Sequence, residues 1–215
     1  MTEKPNMAVT ISRQMGSGGH YIGYLAAKEL GFKYVDREIL HEAAKQLHTD
    51  VSLLEQYDER SEGILESIVR GFFFGTPETA SVPPLKRPIY NRDLYRMESK
   101  IMHGIVDRHS AVIVGRAGFF ALRERSRVIR VFVYAPLDFR VERIMKVQNI
   151  RDAREGKSIV EESDRRREKF ILDMAGVHWT DVRNYHLCLD ASFMGFPECV
   201  RTIVDLARRN DPLLA

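Results

Sequence analysis

The stretch that decides the fold is Val9–Gly23, VTISRQMGSGGHYIG. Ala8–Ser12 reads as a buried strand, and the pattern over Gly18–Leu30 reads as a helix. Between them lies a loop containing Gly16, Gly18 and Gly19. Glycines let backbone N–H groups turn inward and approach an anion closely. The N-terminus of the following helix adds positive potential at the same point. Strand, glycine loop and helix in that order suit a di- or triphosphate.

Two phosphate-binding patterns compete for this loop. The dinucleotide pattern G-x-G-x-x-G fits Gly16 and Gly18, but its third position falls on Tyr21. Asp36 stands where that pattern would want a ribose-binding acid. The P-loop pattern G-x-x-x-x-G-K-[ST] lies over Arg13–His20 with its second glycine on Gly18. Its lysine position then falls on Gly19 and its hydroxyl position on His20. Arg13, Gln14 and Met15 separate the strand from Gly16, and that longer loop favours the P-loop. The backbone cradle is kept. Arg13 could replace the lysine charge from the other end of the loop, and Ser12 or Ser17 could supply a hydroxyl.

Working outward, Lys33–Asp36, Ala111–Gly115, Val128–Ala135 and Tyr185–Asp190 read as further strands. Arg37–Leu47, Pro136–Asn149 and Pro197–Arg209 read as helices, the second with proline in its first turn. Strands alternating with helices predict a parallel sheet covered on both faces. Two segments break the rhythm. Gly71–Asn91 carries Phe72, Phe73 and Phe74 at one end and four prolines beyond them, within an insert over about 50–92. A long irregular stretch of this kind is usually functional or mobile. Arg151–Phe170 is dense in both charges. It reads either as a solvated helical face or as an arm carrying arginines to a phosphate.

Composition narrows the class. The chain has 215 residues, 44% of them apolar and 29% charged, which fits one globular domain over 1–215. Collagen, low-complexity disorder and a disulfide scaffold are excluded. A net charge of +3 is too mild to point to nucleic acid. Cys188 and Cys199 make neither a disulfide framework nor a zinc site, and Cys188 lies in an apolar strand that suggests packing. No apolar run approaches the ~20 residues of a membrane span. Met1–Met7 is short and polar, without a secretory pattern, so the expectation is a cytosolic protein with no membrane partner. The seven histidines show no metal-ligand spacing, and no serine lies in a nucleophile elbow.

The chain resembles the cytidylate kinase-like family of P-loop kinases. The resemblance is carried by ISRQMGSGGHYIG, GFKYVDREIL, AVIVGRAG, VFVYAPLDFRVERI, DRRREKF and HWTDVRNYHLCLDAS, collinear over about Ala8–Arg209. It implies a three-layer α/β P-loop NTPase fold with a five-stranded parallel sheet and a helical lid over about 151–177. It implies transfer of a phosphoryl group from ATP, with Mg2+, to a nucleoside monophosphate, CMP or dCMP first. Gly16, Ser17, Gly18, Gly19, His20 and Tyr21 would cradle the donor, with Arg143 at the base of the lid. Asp36, Arg37 and Arg116 would hold the acceptor, and Arg92 (with Lys86 and Arg87) would lie on the acceptor side. Arg13, Arg116, Arg165 and Arg167 would supply positive charge to the transferring group. Trp179 would anchor the far end of the lid.

The sequence departs from true cytidylate kinases in three places. Gly19 replaces the loop lysine, Val114 an acidic residue before the Gly-Arg pair, and Ala117 an aspartate after it. His20 and Tyr21 also replace charged residues. Alternatives therefore stand: a kinase of another small phosphorylated or hydroxylated metabolite, a nucleotide-binding regulator without turnover, or a dinucleotide-dependent oxidoreductase. The aromatic Phe72–Phe74 leaves a homodimer surface open.

Overall fold

Ala8–Arg13 (β1) is buried at all six positions, as an apolar, β-branched strand must be when both its neighbours are strands. The computed structural model describes residues 6–37, 40 and 92–211. Phe72–Phe74, Lys86, Arg87 and most of the helix expected over Arg37–Leu47 lie outside the described residues.

After β1 come α1 (Gly19–Leu30) and β2 (Lys33–Val35). Beyond the undescribed stretch come α2 (Arg92–Arg108), β3 (Ala111–Val114), the short α3 (Gly118–Ala121) and β4 (Val128–Tyr134). Then follow α4 (Leu137–Gln148), α5 (Ala153–Ala175), β5 (Leu187–Asp190), the short α6 (Ala191–Met194) and α7 (Phe196–Asn210). The five strands form one parallel sheet in the order β2-β3-β1-β4-β5. Ile11 pairs with Val114 of β3 on one side and with Val131 of β4 on the other. A dinucleotide fold places its second strand beside its first. Here β3 occupies that place, and the dinucleotide reading falls.

Side chains alternate across the sheet. Val9, Ile11, Val112, Val114, Val131 and Val133 pack with Ile22 and Ala26 of α1 and with Ile203 and Val204 of α7. Ala8, Ile113 and Val128 face Ile101, Met102 and Ile105 of α2. Three layers result, with the carboxyl ends of the strands free to carry a site.

The charged segment is a helix. Asp152 caps α5 by accepting from the Arg154 amide at 2.8 Å, and Gly176 ends it in the left-handed region. One narrow line of α5 is buried. Val160 packs on Val141 and Ile144 of α4. Phe170 and Ile171 join a cluster with Phe132, Trp179 and Tyr185. Trp179 sits edge-on to Phe132 at 5.5 Å, so it ties the far end of α5 to the sheet. Both cysteines are free thiols, and burial pushes each pKa up, which leaves them poor nucleophiles. Among the described residues no helix is long and apolar enough to cross a membrane.

Candidate functional site

The glycine loop is stitched to β4. Gln14 donates its backbone N–H to Val133 O at 3.1 Å, and its side-chain oxygen accepts from the Ala135 amide at 3.2 Å. Ser17 is fully buried, and its hydroxyl donates to Gln14 O and Val133 O at 2.9 and 3.1 Å. That hydroxyl braces the loop from within. Gly18 sits at φ 86°, and no side-chain cap closes the start of α1. The first amides of a helix have no acceptor inside it. Gly19, His20 and Tyr21 therefore present N–H groups at the carboxyl end of the central strand, a geometry that suits an anion.

Helix α5 is fastened to the loop. Asp164 of α5 accepts from the Met15 amide at 2.8 Å and pairs with Arg140 of α4. Arg140 also donates to Ala135 O at 2.9 Å and Met15 O at 3.2 Å. Arg167 donates to the same Asp164 oxygen as the Met15 amide, at 3.1 Å. One carboxylate thus fixes the loop, the start of α4 and the inward arginine of α5 together.

Positive charge converges on the loop. Arg13 is 9% exposed and lies 2.7 Å from Nε2 of His20. His20 as a whole is exposed. Desolvation of its ring among neighbouring atoms, then the charges of Arg13, Arg167, Arg143 and Arg37, push its pKa well below the ordinary histidine value of 6.5. These surroundings favour the neutral imidazole. Arg143 stands over the Phe196 ring at 5.1 Å, and burial lowers its pKa. Tyr21 also meets Phe196, edge-on at 6.0 Å, with half its surface in solvent.

The loop after β3 is the second half of the site. Gly115, Arg116 and Ala117 all have positive φ, at 86°, 50° and 50°. Arg116 is turned toward α2 and α5. Its Nε donates to Glu98 of α2 at 2.7 Å, its terminal nitrogen reaches the same oxygen, and its guanidinium lies 4.4 Å from the centre of the Phe170 ring. Glu98 is completely buried. Its burial outweighs the arginine and pushes its pKa up. Arg13, Arg116 and Arg167 line one open cavity of about 30 Å³, closed on its apolar side by Phe170 and Trp179.

Of the arginines read from the sequence, Arg13, Arg116 and Arg167 thus share a cavity, and Arg37 and Arg143 bear on His20. Arg165 does not join them: it is 66% exposed and pairs with Glu162 at 3.0 Å. Arg92 is exposed at the first residue of α2. Asp36 is half-buried at the end of β2, where its carbonyl accepts from the Leu40 amide at 3.1 Å. Sequence reading did not find Glu98, Asp164 or Arg140. Glu98 had a signal, a charge on the apolar stripe Tyr95, Ile101, Met102, Ile105 of α2. Arg140 had none.

Among the described residues no group of three His, Cys, Asp or Glu side chains converges on a metal position. The Ser17 hydroxyl faces inward, and a histidine stands where a P-loop hydroxyl would be. These side chains do not fit a protein-built magnesium site.

A parallel five-stranded sheet, a glycine loop opening a helix at the end of its central strand and a helical lid locked onto that loop define a kinase-like P-loop protein. The chain belongs to the cytidylate kinase-like family, whose model matches residues 8–193. Among solved structures, an uncharacterized protein from Eubacterium ventriosum ATCC 27560 is similar at a TM-score of 0.70 and 17% identity, over 94% of this chain and 98% of that one. A gluconokinase from Sinorhizobium meliloti 1021 is similar at a TM-score of 0.52 and 14% identity, over 97% and 95% of the two chains. A shikimate kinase from Bacteroides thetaiotaomicron follows at 0.50 and 13%, over 93% and 97%. At these identities the likeness establishes the fold. No curated protein matches the chain.

Proposed function

We propose that the protein transfers the γ-phosphoryl group of ATP to a nucleoside monophosphate, with CMP and dCMP as the first acceptors to test. The observation that carries this reading is the convergence of Arg13, Arg116 and Arg167 on one cavity beside an uncapped, glycine-lined helix N-terminus. Phosphoryl transfer needs alignment and positive charge around the equatorial oxygens more than covalent help. The amides of Gly19, His20 and Tyr21 would hold the donor phosphates. An acceptor oxygen attacks the γ-phosphorus in line, the bond to the ADP oxygen breaks, and the three guanidiniums stabilise the charge in transit. A phosphate acceptor is already ionised and needs no base. The lid keeps water from taking the phosphoryl group. Magnesium would come with the nucleotide, held by its phosphates and water.

The exposed Tyr21 and the Arg143–Phe196 pair lie beside the loop and suit the donor base. A second reading has one observation in its favour. Glu98 already neutralises Arg116, so an acceptor phosphate must share that arginine with a buried carboxylate. A hydroxylated metabolite without a phosphate would not meet this competition.

The test is ADP release from ATP and magnesium with CMP, dCMP, UMP, AMP, GMP, shikimate and gluconate in parallel. Turnover that depends on one nucleoside monophosphate upholds the first reading. Turnover with a phosphate-free acceptor alone upholds the second. ATP binding without turnover on any acceptor would favour a regulator, and no ATP binding would sink the donor site. Arg13→Ala should lower turnover far more than ATP affinity; equal losses would count against its role in the transfer.

A further inference from the structure

The loop lacks a lysine because an arginine already fills the space. A Cβ placed on Gly19 would overlap Cβ of Arg13 and stand 2.9 Å from its Cγ. A Cβ placed on Gly115 would overlap Nη1 of Arg13 and stand 2.9 Å from its Cζ. Real Cβ atoms do not come that close, so the Arg13 stem leaves room for hydrogen alone at Gly19, while a side chain at Gly115, already at φ 86°, would push the Arg13 guanidinium aside. Its stem passes over Gly19, and its guanidinium lies on the backbone of Gly115.

The far end of Arg13 is held by an imidazole. Nη2 of Arg13 is 2.7 Å from Nε2 of His20, and Nδ1 of His20 is 3.3 Å from the Tyr34 hydroxyl. A guanidinium has donors only, so Nε2 must offer a lone pair. The proton then sits on Nδ1, pointing at the Tyr34 oxygen. Tyr34 is itself braced edge-on by Tyr24 at 5.8 Å. The chain Arg13–His20–Tyr34 therefore demands one tautomer of one neutral ring.

We propose that His20, steadied by Tyr34, is a positioning residue that aims Arg13 into the space a loop lysine would otherwise take, so that the loop is rebuilt around an arginine. This deepens the donor-site reading above and rests on it. It accounts for Gly19, His20 and Gly115 together: two make room for the arginine, and one orients it. The surrounding guanidiniums of Arg167, Arg143 and Arg37, together with burial, oppose a proton on the ring and so favour the form that can accept.

Two measurements on the full chain test this. The first is the nitrogen-15 spectrum of the imidazoles at pH 7, with His20 assigned by its loss in His20→Gln. The expected result is a neutral His20 with the proton on Nδ1, and in Arg13→Ala a ring that titrates closer to 6.5. A charged ring, or a proton on Nε2, overturns the proposal. The second is an ATP calorimetry and turnover cycle over Arg13→Ala, His20→Leu and the double variant. His20→Leu should cost roughly tenfold where Arg13 is present and less than about twofold where it is absent. His20→Gln, which keeps an acceptor, should recover most of the loss. Losses that multiply, or an Arg13→Ala variant equal to wild type in both readouts, overturn it. Failure of the wild type to bind ATP would remove the donor-site reading, while the spectrum would still decide whether His20 holds Arg13.

Discussion

The loop after β1 and the loop after β3 both turn a strand into a helix at the carboxyl edge of the sheet, and they carry their strain differently. In the first, positive φ falls on Gly16 and Gly18. In the second, it falls on Arg116 and Ala117 as well as Gly115. A loop whose working groups are backbone amides can use glycine and avoid strain. A loop whose working group is a side chain cannot, because the residue in the strained place must be the arginine itself. Such a backbone costs about 1–3 kcal/mol per residue and persists only where its surroundings over-determine it. Glu98 and Phe170 are those surroundings.

The largest test of that contrast is Glu98→Ala. Removing one partner of a buried ion pair leaves the other charge uncompensated, at about 3–5 kcal/mol. Urea unfolding should show that loss, with Glu98→Gln costing less. A loss under about 1 kcal/mol would mean that the pair does not hold Arg116. Next comes the pair of lid arginines. Arg167→Ala should cut turnover roughly a hundredfold, as expected for a charge on the transferring group, and Arg165→Ala less than about twofold. Equal effects would remove the distinction between the inner and outer faces of α5. Gly18→Ala follows. It forces an L-residue to φ 86° with its Cβ 2.6 Å from Cε1 of Phe196, at a cost of about 2 kcal/mol in thermal or urea unfolding. An unchanged midpoint would show that the first loop does not need glycine there.

The smallest effect is a pH dependence. The native pKa of His20 is depressed below 6.5 by burial and then by Arg13, Arg167, Arg143 and Arg37. The unfolded chain therefore takes up a proton first as the pH falls. Stability from this group is fully present above 6.5 and is lost as the pH falls through the native value. Unfolding at pH 7 and pH 5 should show a larger acid loss for wild type than for His20→Gln. The same slope in both proteins would mean that the ring is not held neutral.

Much of the sheet was readable from the chain. The apolar runs around Val9–Ile11, Val112–Val114 and Ile129–Val133 became β1, β3 and β4, each with one end shifted by one residue. Helix α2 was not read at all, because its stripe Tyr95, Ile101, Met102, Ile105 is interrupted by charges and follows an irregular insert. The sequence reading named the arginines that gather at this edge of the sheet and not their pairings. Three consecutive arginines at 165–167 look alike in one dimension. A helix turns about 100° per residue, so docking decides that Arg167 faces the loop while Arg165 pairs with Glu162 in solvent.

By itself, the sequence determined the parallel α/β class and the glycine loop between β1 and α1, because apolar periodicity and glycine placement act through local geometry. Only the tertiary structure decided which arginines meet and what holds them. Glu98 reaches Arg116 across 18 residues, and Asp164 reaches the Met15 amide across 149. Those contacts depend on how separate elements pack, and no local pattern encodes them.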